Sequence, residues 1–235
     1  MIVSAVAIIP ARGGSKRIPR KNIKEFCGKP MIAWSIDAAL ESGCFDRVIV
    51  STDDEEIAAV ARQHGAETPF MRPAQLSDDY TGTIPVIRHA VEWLADNGCA
   101  VSQACCIYAT APFVSPEDLN RGQQLLESEV CSYAFSVTSY AFPIQRAIRI
   151  TGSGRVAMFN PEHFQTRSQD LEEAWHDAGQ FYWGTAQAWK EERLIFSEDA
   201  APVTLPRHRV QDIDTPEDWV RAEWLFKAMQ EQGTE

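Results

Sequence analysis

Short apolar, β-branched runs alternate along this chain with segments of helical periodicity. Val3 to Ile9 has the pattern of a buried strand; Pro10 ends it, and a basic, glycine-containing loop follows. From Met31 to Glu41, Ile32, Ile36, Ala39 and Leu40 recur at helical spacing, with Gly43 as the stop. Arg47 to Thr52 predicts a second strand. Asp53 and Asp54 precede a helix over Glu55 to His64, which Gly65 ends. Thr83 opens a helix whose Val86, Ile87, Ala90, Val91 and Leu94 share one face. Cys105 to Thr110 predicts the third strand and Tyr133 to Thr138 the fourth. Ser115-Pro116-Glu117-Asp118 and Thr215-Pro216-Glu217-Asp218 both read as helix starts, with a hydroxyl cap, a first-turn proline and a following acid. The alternation predicts an α/β fold with a mostly parallel sheet and helices on both faces.

Between Ser139 and Gln180 the rhythm breaks. Ala147 to Ile150 and Arg155 to Phe159 flank Gly152-Ser153-Gly154 and predict a hairpin. A polar stretch follows, and Phe181 to Gly184 returns to the sheet. The expected organisation is an α/β core over 1–138 and 181–235, with an inserted hairpin region over 139–180 that packs against a partner subunit.

Composition narrows the function. Lys plus Arg is 22 and Asp plus Glu is 33, a net charge of −11. Nucleic acid and anionic membrane surfaces are therefore not expected partners, because phosphate-rich surfaces call for a net basic face. The cations are uneven: Arg12, Lys16, Arg17, Arg20, Lys21, Lys24 and Lys29 crowd near the N-terminus. The six cysteines form no C-x-x-C pair and no zinc-like spacing, as expected of reduced thiols in a cytoplasmic protein. The apolar run Ile2 to Ile9 is too short to span a membrane, and no basic segment precedes it.

The loop Ala11-Arg12-Gly13-Gly14-Ser15-Lys16-Arg17-Ile18-Pro19-Arg20-Lys21-Asn22 carries the most chemistry. It follows the first strand, where open α/β sheets bind ligands. Its two glycines suit a backbone anion nest, and its cations suit a triphosphate. It is not a Walker A loop, since Ser15 precedes Lys16, nor a G-x-G-x-x-G fingerprint. Near the other terminus, Asp212 and Asp214 flank Ile213. In extended backbone both carboxylates share a face, which suits Mg²⁺; the pair equally suits the start of a helix. Asp53 has the same two readings, as a helix cap or a cleft residue. Phe181, Tyr182 and Trp183 read as sheet core or as a wall for a ligand. Gln145, Arg146, Arg167 and Gln180 are candidates for a carboxylate or acyl group, or for an interface. The five histidines show no ligand or triad spacing.

Ala11 to Asn22 matches each fixed position of the signature Ala-Arg-x-Gly-Ser-Lys-x-x-Pro-x-Lys-Asn, and so resembles the CMP-sialic acid synthetase (acylneuraminate cytidylyltransferase) family. Val48 to Asp53, Arg72 to Asp79 and Arg209 to Thr215 are similar to further motifs of that family. Where its sialic acid members carry Gln-Pro-Thr-Ser-Pro-Leu-Arg, this chain has Tyr108-Ala109-Thr110-Ala111-Pro112-Phe113-Val114. This variant, with Phe142 to Ala147 and Asp177 to Gly184, is similar to the branch that takes pseudaminic acid.

The resemblance implies a Rossmann-like nucleotidyltransferase sheet, a homodimer, and Mg²⁺ on Asp212 and Asp214. The substrates it implies are CTP and an acidic nine-carbon keto sugar. Arg12, Lys16, Lys21 and Asp214 would then be catalytic. Ala11, Gly13, Gly14, Ser15, Asn22, Arg72, Thr81 and Thr83 would join Arg12 in holding the nucleotide. Tyr108, Thr110, Gln145, Arg146, Arg167 and Gln180 would meet the sugar. N-acetylneuraminic and legionaminic acids are the runner-up substrates. The rivals are a non-catalytic CTP-binding module and a glycosyltransferase.

Overall fold

The structure, a computed structural model, describes residues 2–128 and 131–232. The chain begins with β1 (Ile2–Pro10), then a short hairpin, β2 (Glu25–Phe26) and β3 (Lys29–Pro30), that leads into α1 (Met31–Ser42). Next come β4 (Arg47–Ser51), α2 (Glu55–Gln63), α3 (Thr83–Asp96), β5 (Ala100–Ile107), α4 (Pro116–Ser128) and β6 (Tyr133–Ser139). A second hairpin, β7 (Ile148–Ile150) and β8 (Val156–Met158), precedes β9 (Trp175–Thr185). The chain finishes with α5 (Ala186–Lys190), β10 (Ala200–Thr204) and α6 (Pro216–Gln232).

Six strands form the central sheet in the order β10-β6-β9-β5-β1-β4. β9 pairs antiparallel with β5 and β6, and the other pairings are parallel. The first crossover, through α1, sets β4 on one side of β1. The second, through α3, sets β5 on the other side. The carboxyl ends of β1 and β5 therefore diverge at a switch point, where a crevice opens.

Period-two alternation splits the core. Ala5, Ala7, Ile9, Val48, Val50, Cys105 and Ile107 face α1, α2 and α4. Val6, Ile8, Ile49, Ala104 and Cys106 face α3 and α5. Each fully buried Ile or Val contributes about 1.5–3 kcal/mol. A third cluster seats Trp219 and Phe226 of α6 against Phe26 at the β2–β3 hairpin, edge to face. Both expected helix starts form: Asp118 and Ser115 cap α4 reciprocally, as Asp218 and Thr215 cap α6.

Two expectations shift. β5 runs over Ala100–Ile107 rather than Cys105 to Thr110, because its first half is only partly covered and looks polar. β9 begins at Trp175, not Phe181, because a bulge interrupts its alternation. The aromatic run divides: Phe181 and Trp183 enter the core on one face, and Tyr182 lies on the other. Trp183 stacks on Phe45 and donates to the Leu119 carbonyl at 2.9 Å. Gly122 makes room for it, since a Cβ there would sit 2.5 Å from the indole.

Candidate active site

A cavity of about 460 Å³ opens at the β1–β5 switch point. Pro10 and Tyr108 to Thr110 form part of its wall, with the loop after β1, the segment before α3, and Asp214. Five cationic side chains line it, Arg12, Lys16, Arg17, Lys21 and Arg72, against two acids, Asp79 and Asp214. The excess is +3 in a chain whose net charge is −11. Such a concentration of charge in a concave site favours a polyanion.

The loop residues take distinct roles. Ala11 extends the β1 ladder, donating to the Ser51 carbonyl at 2.9 Å, and is buried beneath the cavity rather than lining it. The Gly13 amide donates to Asp53 at 2.9 Å, and the Ser15 amide to the Gly13 carbonyl at 3.0 Å. Those two N–H groups are thus engaged within the protein. A Cβ on Gly13 would lie 2.6 Å from an Asp54 oxygen, whereas one on Gly14 would meet open space. Asn22 is buried and donates to the Arg12 carbonyl at 3.0 Å, which fixes the loop's curvature.

Arg12 and Lys16 share one counterion, Asp79, and Arg12 also donates to the Asp78 carbonyl at 3.0 Å. The Asp79 carboxyl is held below the usual carboxylate range, first by its Lys16 hydrogen bond and then by Arg12. Asp78 accepts from both the amide and the hydroxyl of Thr81 at 2.7 Å, which shapes the turn ahead of α3.

Arg72 is 6% exposed, and its Nε and Nη2 have no hydrogen-bond partner; Asp53 lies 3.9 Å away. Burial lowers its pKa, and Asp53 partly offsets this. A buried guanidinium with unmet donors beside a cavity is suited to an acceptor-rich ligand.

The family model described as Cytidylyltransferase matches residues 6–217. The chain belongs to the cytidylyltransferase family. It is 46% identical to the pseudaminic acid cytidylyltransferase of Campylobacter jejuni, over 97% of this chain and 98% of that one. It is 33% identical to the CMP-N,N'-diacetyllegionaminic acid synthase of Legionella pneumophila, over 96% of this chain and 97% of that one. Among solved structures, CMP:2-keto-3-deoxy-manno-octonic acid synthetase complexed with CTP is similar with a TM-score of 0.69. The overlap covers 96% of this chain and 99% of that one at 17% identity, a likeness of fold.

In this cytidylyltransferase, Asp214 lines the cavity, and Asp212 does not. Arg17 holds Asp214 at 2.8 Å, with Lys21 at 3.5 Å. Asp212 is raised above the usual carboxylate range, first by protein atoms crowding its carboxyl and then by the charge of Asp214. Among the described residues, no group of three or more His, Cys, Asp or Glu side chains could hold a metal ion unaided. Two neighbouring carboxylates, one with raised proton affinity, do fit a hard cation that takes its remaining ligands from phosphate oxygens.

Of the remaining candidates, Thr81, Thr83, Tyr108 and Thr110 line the cavity. Gln145, Arg146, Arg167 and Gln180 do not. Gln145 donates to the Glu172 carbonyl at 2.9 Å, and Arg146 reaches the Ser168 hydroxyl at 3.4 Å. Arg167 forms a two-pronged pair with Asp170, and Gln180 donates to the Arg209 carbonyl at 2.6 Å. The first three belong to the excursion between β6 and β9, and Gln180 to the bulge of β9. Sequence reasoning missed the counterions: Asp79 on Arg12 and Lys16, and Arg17 on Asp214. Adjacent acids at 78 and 79 were the available signal, but their partners lie more than sixty residues away.

Proposed function

We propose that this chain joins CTP to pseudaminic acid, giving CMP-pseudaminic acid and pyrophosphate. The carrying observation is the cationic cavity at the switch point, in a chain similar over nearly its whole length to a pseudaminic acid cytidylyltransferase. The sugar's anomeric hydroxyl attacks the α-phosphorus in line, the bond to the β-phosphate oxygen breaks, and pyrophosphate leaves.

Arg12 and Lys16 exchange Asp79 for triphosphate oxygens. Lys21, 18% exposed and fixed beside Asp214, meets the charge that grows on the leaving group. Arg72 supplies its free donors to the nucleoside. Asp212 and Asp214 would hold Mg²⁺, which when bound neutralises phosphate charge and acidifies the attacking hydroxyl. Positioning and electrostatics carry the acceleration.

The excursion between β6 and β9, within the expected 139–180 region, serves as a dimerisation arm in this reading. Its Phe142, Ile150 and Val156 are 83%, 79% and 70% exposed, which is costly for apolar side chains left in water. Light scattering should find a dimer that Ile150→Asp dissociates; an unchanged mass would remove the arm from the interface. None of the six cysteines forms a disulfide, which favours a reducing cytoplasmic setting. Among the described residues, no helix is long and apolar enough to cross a membrane.

The deciding experiment measures pyrophosphate release from CTP and Mg²⁺ with pseudaminic, N-acetylneuraminic and legionaminic acids in parallel. Release with pseudaminic acid supports the proposal. Release with another sugar keeps the chemistry and replaces the substrate. No release with any of them returns the non-catalytic module to consideration.

A further inference from the structure

Residues 210–214, the stretch that carries Asp212 and Asp214, belong to no strand or helix. Without a ladder of backbone hydrogen bonds, such a stretch is held by what grips its ends. At the far end Ile213 is buried with Phe26 and Trp219, and its carbonyl accepts from Lys21 at 2.6 Å. In extended backbone its two neighbours face the other way, and Asp214 lines the cavity. At the near end Arg209 closes a single 3₁₀ turn, and the chain leaves it extended at Val210, with φ −123° and ψ 118°.

Arg209 is gripped twice. Its carbonyl accepts from the Gln180 side chain at 2.6 Å, and its guanidinium lies 2.7 Å from the Asp118 carboxylate. Both grips start from regular elements. Asp118 sits in the first turn of α4, its side chain only 3% exposed. One carboxylate oxygen takes Arg121 at 2.8 Å; the other takes the Ser115 hydroxyl at 2.9 Å and Arg209. A carboxylate buried this deeply demands cationic partners, so its hold on Arg209 is not the loose contact of a surface pair. Gln180 is buried on β9. Its amide donates to the Ser136 hydroxyl on β6 at 3.3 Å, and its carbonyl accepts from the Tyr108 amide at 2.9 Å. One helix and one strand together set where residue 209 lies.

We infer that Arg209 is a positioning residue: clamped by Asp118 and Gln180, it fixes the start of the 210–214 stretch so that Asp212 and Asp214 present their carboxylates together to a divalent cation. The inference rests on the metal reading of that pair. Arg209 does not line the cavity, so its effect falls on the carboxylates and not on the cations that meet the phosphates.

The experiment measures CTP binding by titration calorimetry, without sugar, once in excess Mg²⁺ and once in EDTA. The ratio of the two dissociation constants reports the metal's share of the binding, and linkage makes it equal to the gain in metal affinity that CTP brings. Arg209→Met keeps the bulk of the stem and removes the charge on Asp118. It should bring the ratio down about tenfold or more, while the EDTA value stays within about twofold, because the cationic loop is untouched. Arg209→Lys returns a charge to Asp118 and should recover most of the ratio. An unchanged ratio in Arg209→Met overturns the inference, and so does equal weakening in both buffers. Asp214→Asn separates this outcome from the metal reading. If it removes the Mg²⁺ dependence and Arg209→Met does not, the positioning role alone falls. If it leaves the Mg²⁺ dependence intact, the metal reading falls and the inference with it. If Arg209→Met fails to fold, Gln180→Met, which removes the other grip, carries the same test: a smaller ratio supports the inference, and the wild-type ratio overturns it.

Discussion

The Lys21 ammonium donates to the Ile213 carbonyl at 2.6 Å and lies 3.5 Å from the Asp214 carboxylate, across 193 residues of chain. This contact closes the cavity by tying the loop after β1 to the segment before α6. Replacing Lys21 with Met should lower kcat about 100-fold, the usual scale for one preorganised electrostatic donor. Asp214 keeps Arg17 in the variant, so thermal unfolding should move by only a few degrees or less. Parallel losses of Tm and turnover would make Lys21 a structural residue instead.

Asp79 occupies cations that a triphosphate needs. Asp79→Asn should therefore lower the CTP KM roughly three- to tenfold, because phosphate no longer displaces a charged resident. The same variant should show a steeper salt dependence of that KM, read from initial rates between low and moderate ionic strength. A raised KM would mean that Asp79 organises the loop more than it competes.

The metal reading places the burden on the carboxylate pair. Asp214→Asn should raise the Mg²⁺ needed for half-maximal pyrophosphate release about tenfold or more. Turnover that stays unchanged across the titration would take Asp214 out of the metal site. Asp212→Asn should move the midpoint in the same direction.

Asp54 offers a stability test away from the chemistry. Its pKa is lowered to about 2, first by its Arg20 hydrogen bond, and it caps α2 by accepting from Ile57 at 3.0 Å. A carboxyl depressed in the folded state stabilises above its unfolded pKa and loses that contribution as pH falls through the folded value. Asp54→Asn retains the cap. It should cost about 2 kcal/mol at pH 7, a difference that shrinks from about pH 4 downward and vanishes below about pH 2. Urea denaturation of both proteins across that range reads it directly.

The sheet and its helices were legible because buried strands and capped helices write their periods locally. β10 was not, since Pro202 breaks its pattern; a proline is tolerated there because β10 is an edge strand. The cationic loop, Arg72, Thr83, Tyr108 and Asp214 were legible as motifs and do converge. What stayed hidden depends on contacts that strand and helix periods do not encode. Arg167 reads as a free cation until Asp170 is seen to hold it. Asp177 reads as a polar residue before a turn until the bulge carries it to Tyr182.

The single antiparallel strand settles where the excursion hangs. β6 ends at the crevice edge, and β9 starts at that same edge, with Ser139 paired to Trp175. Exit and re-entry are thus neighbours held by the sheet itself, so the intervening stretch behaves as an appliance plugged into a fixed socket. Its length can change at the slow logarithmic cost of loop closure, without disturbing the strands beneath. A parallel β9 would have forced the chain back to the opposite edge and carried the arm away from the ligand. Reversal of one strand keeps the part of the molecule most tolerant of a change in length rooted at the sheet edge where the cavity opens.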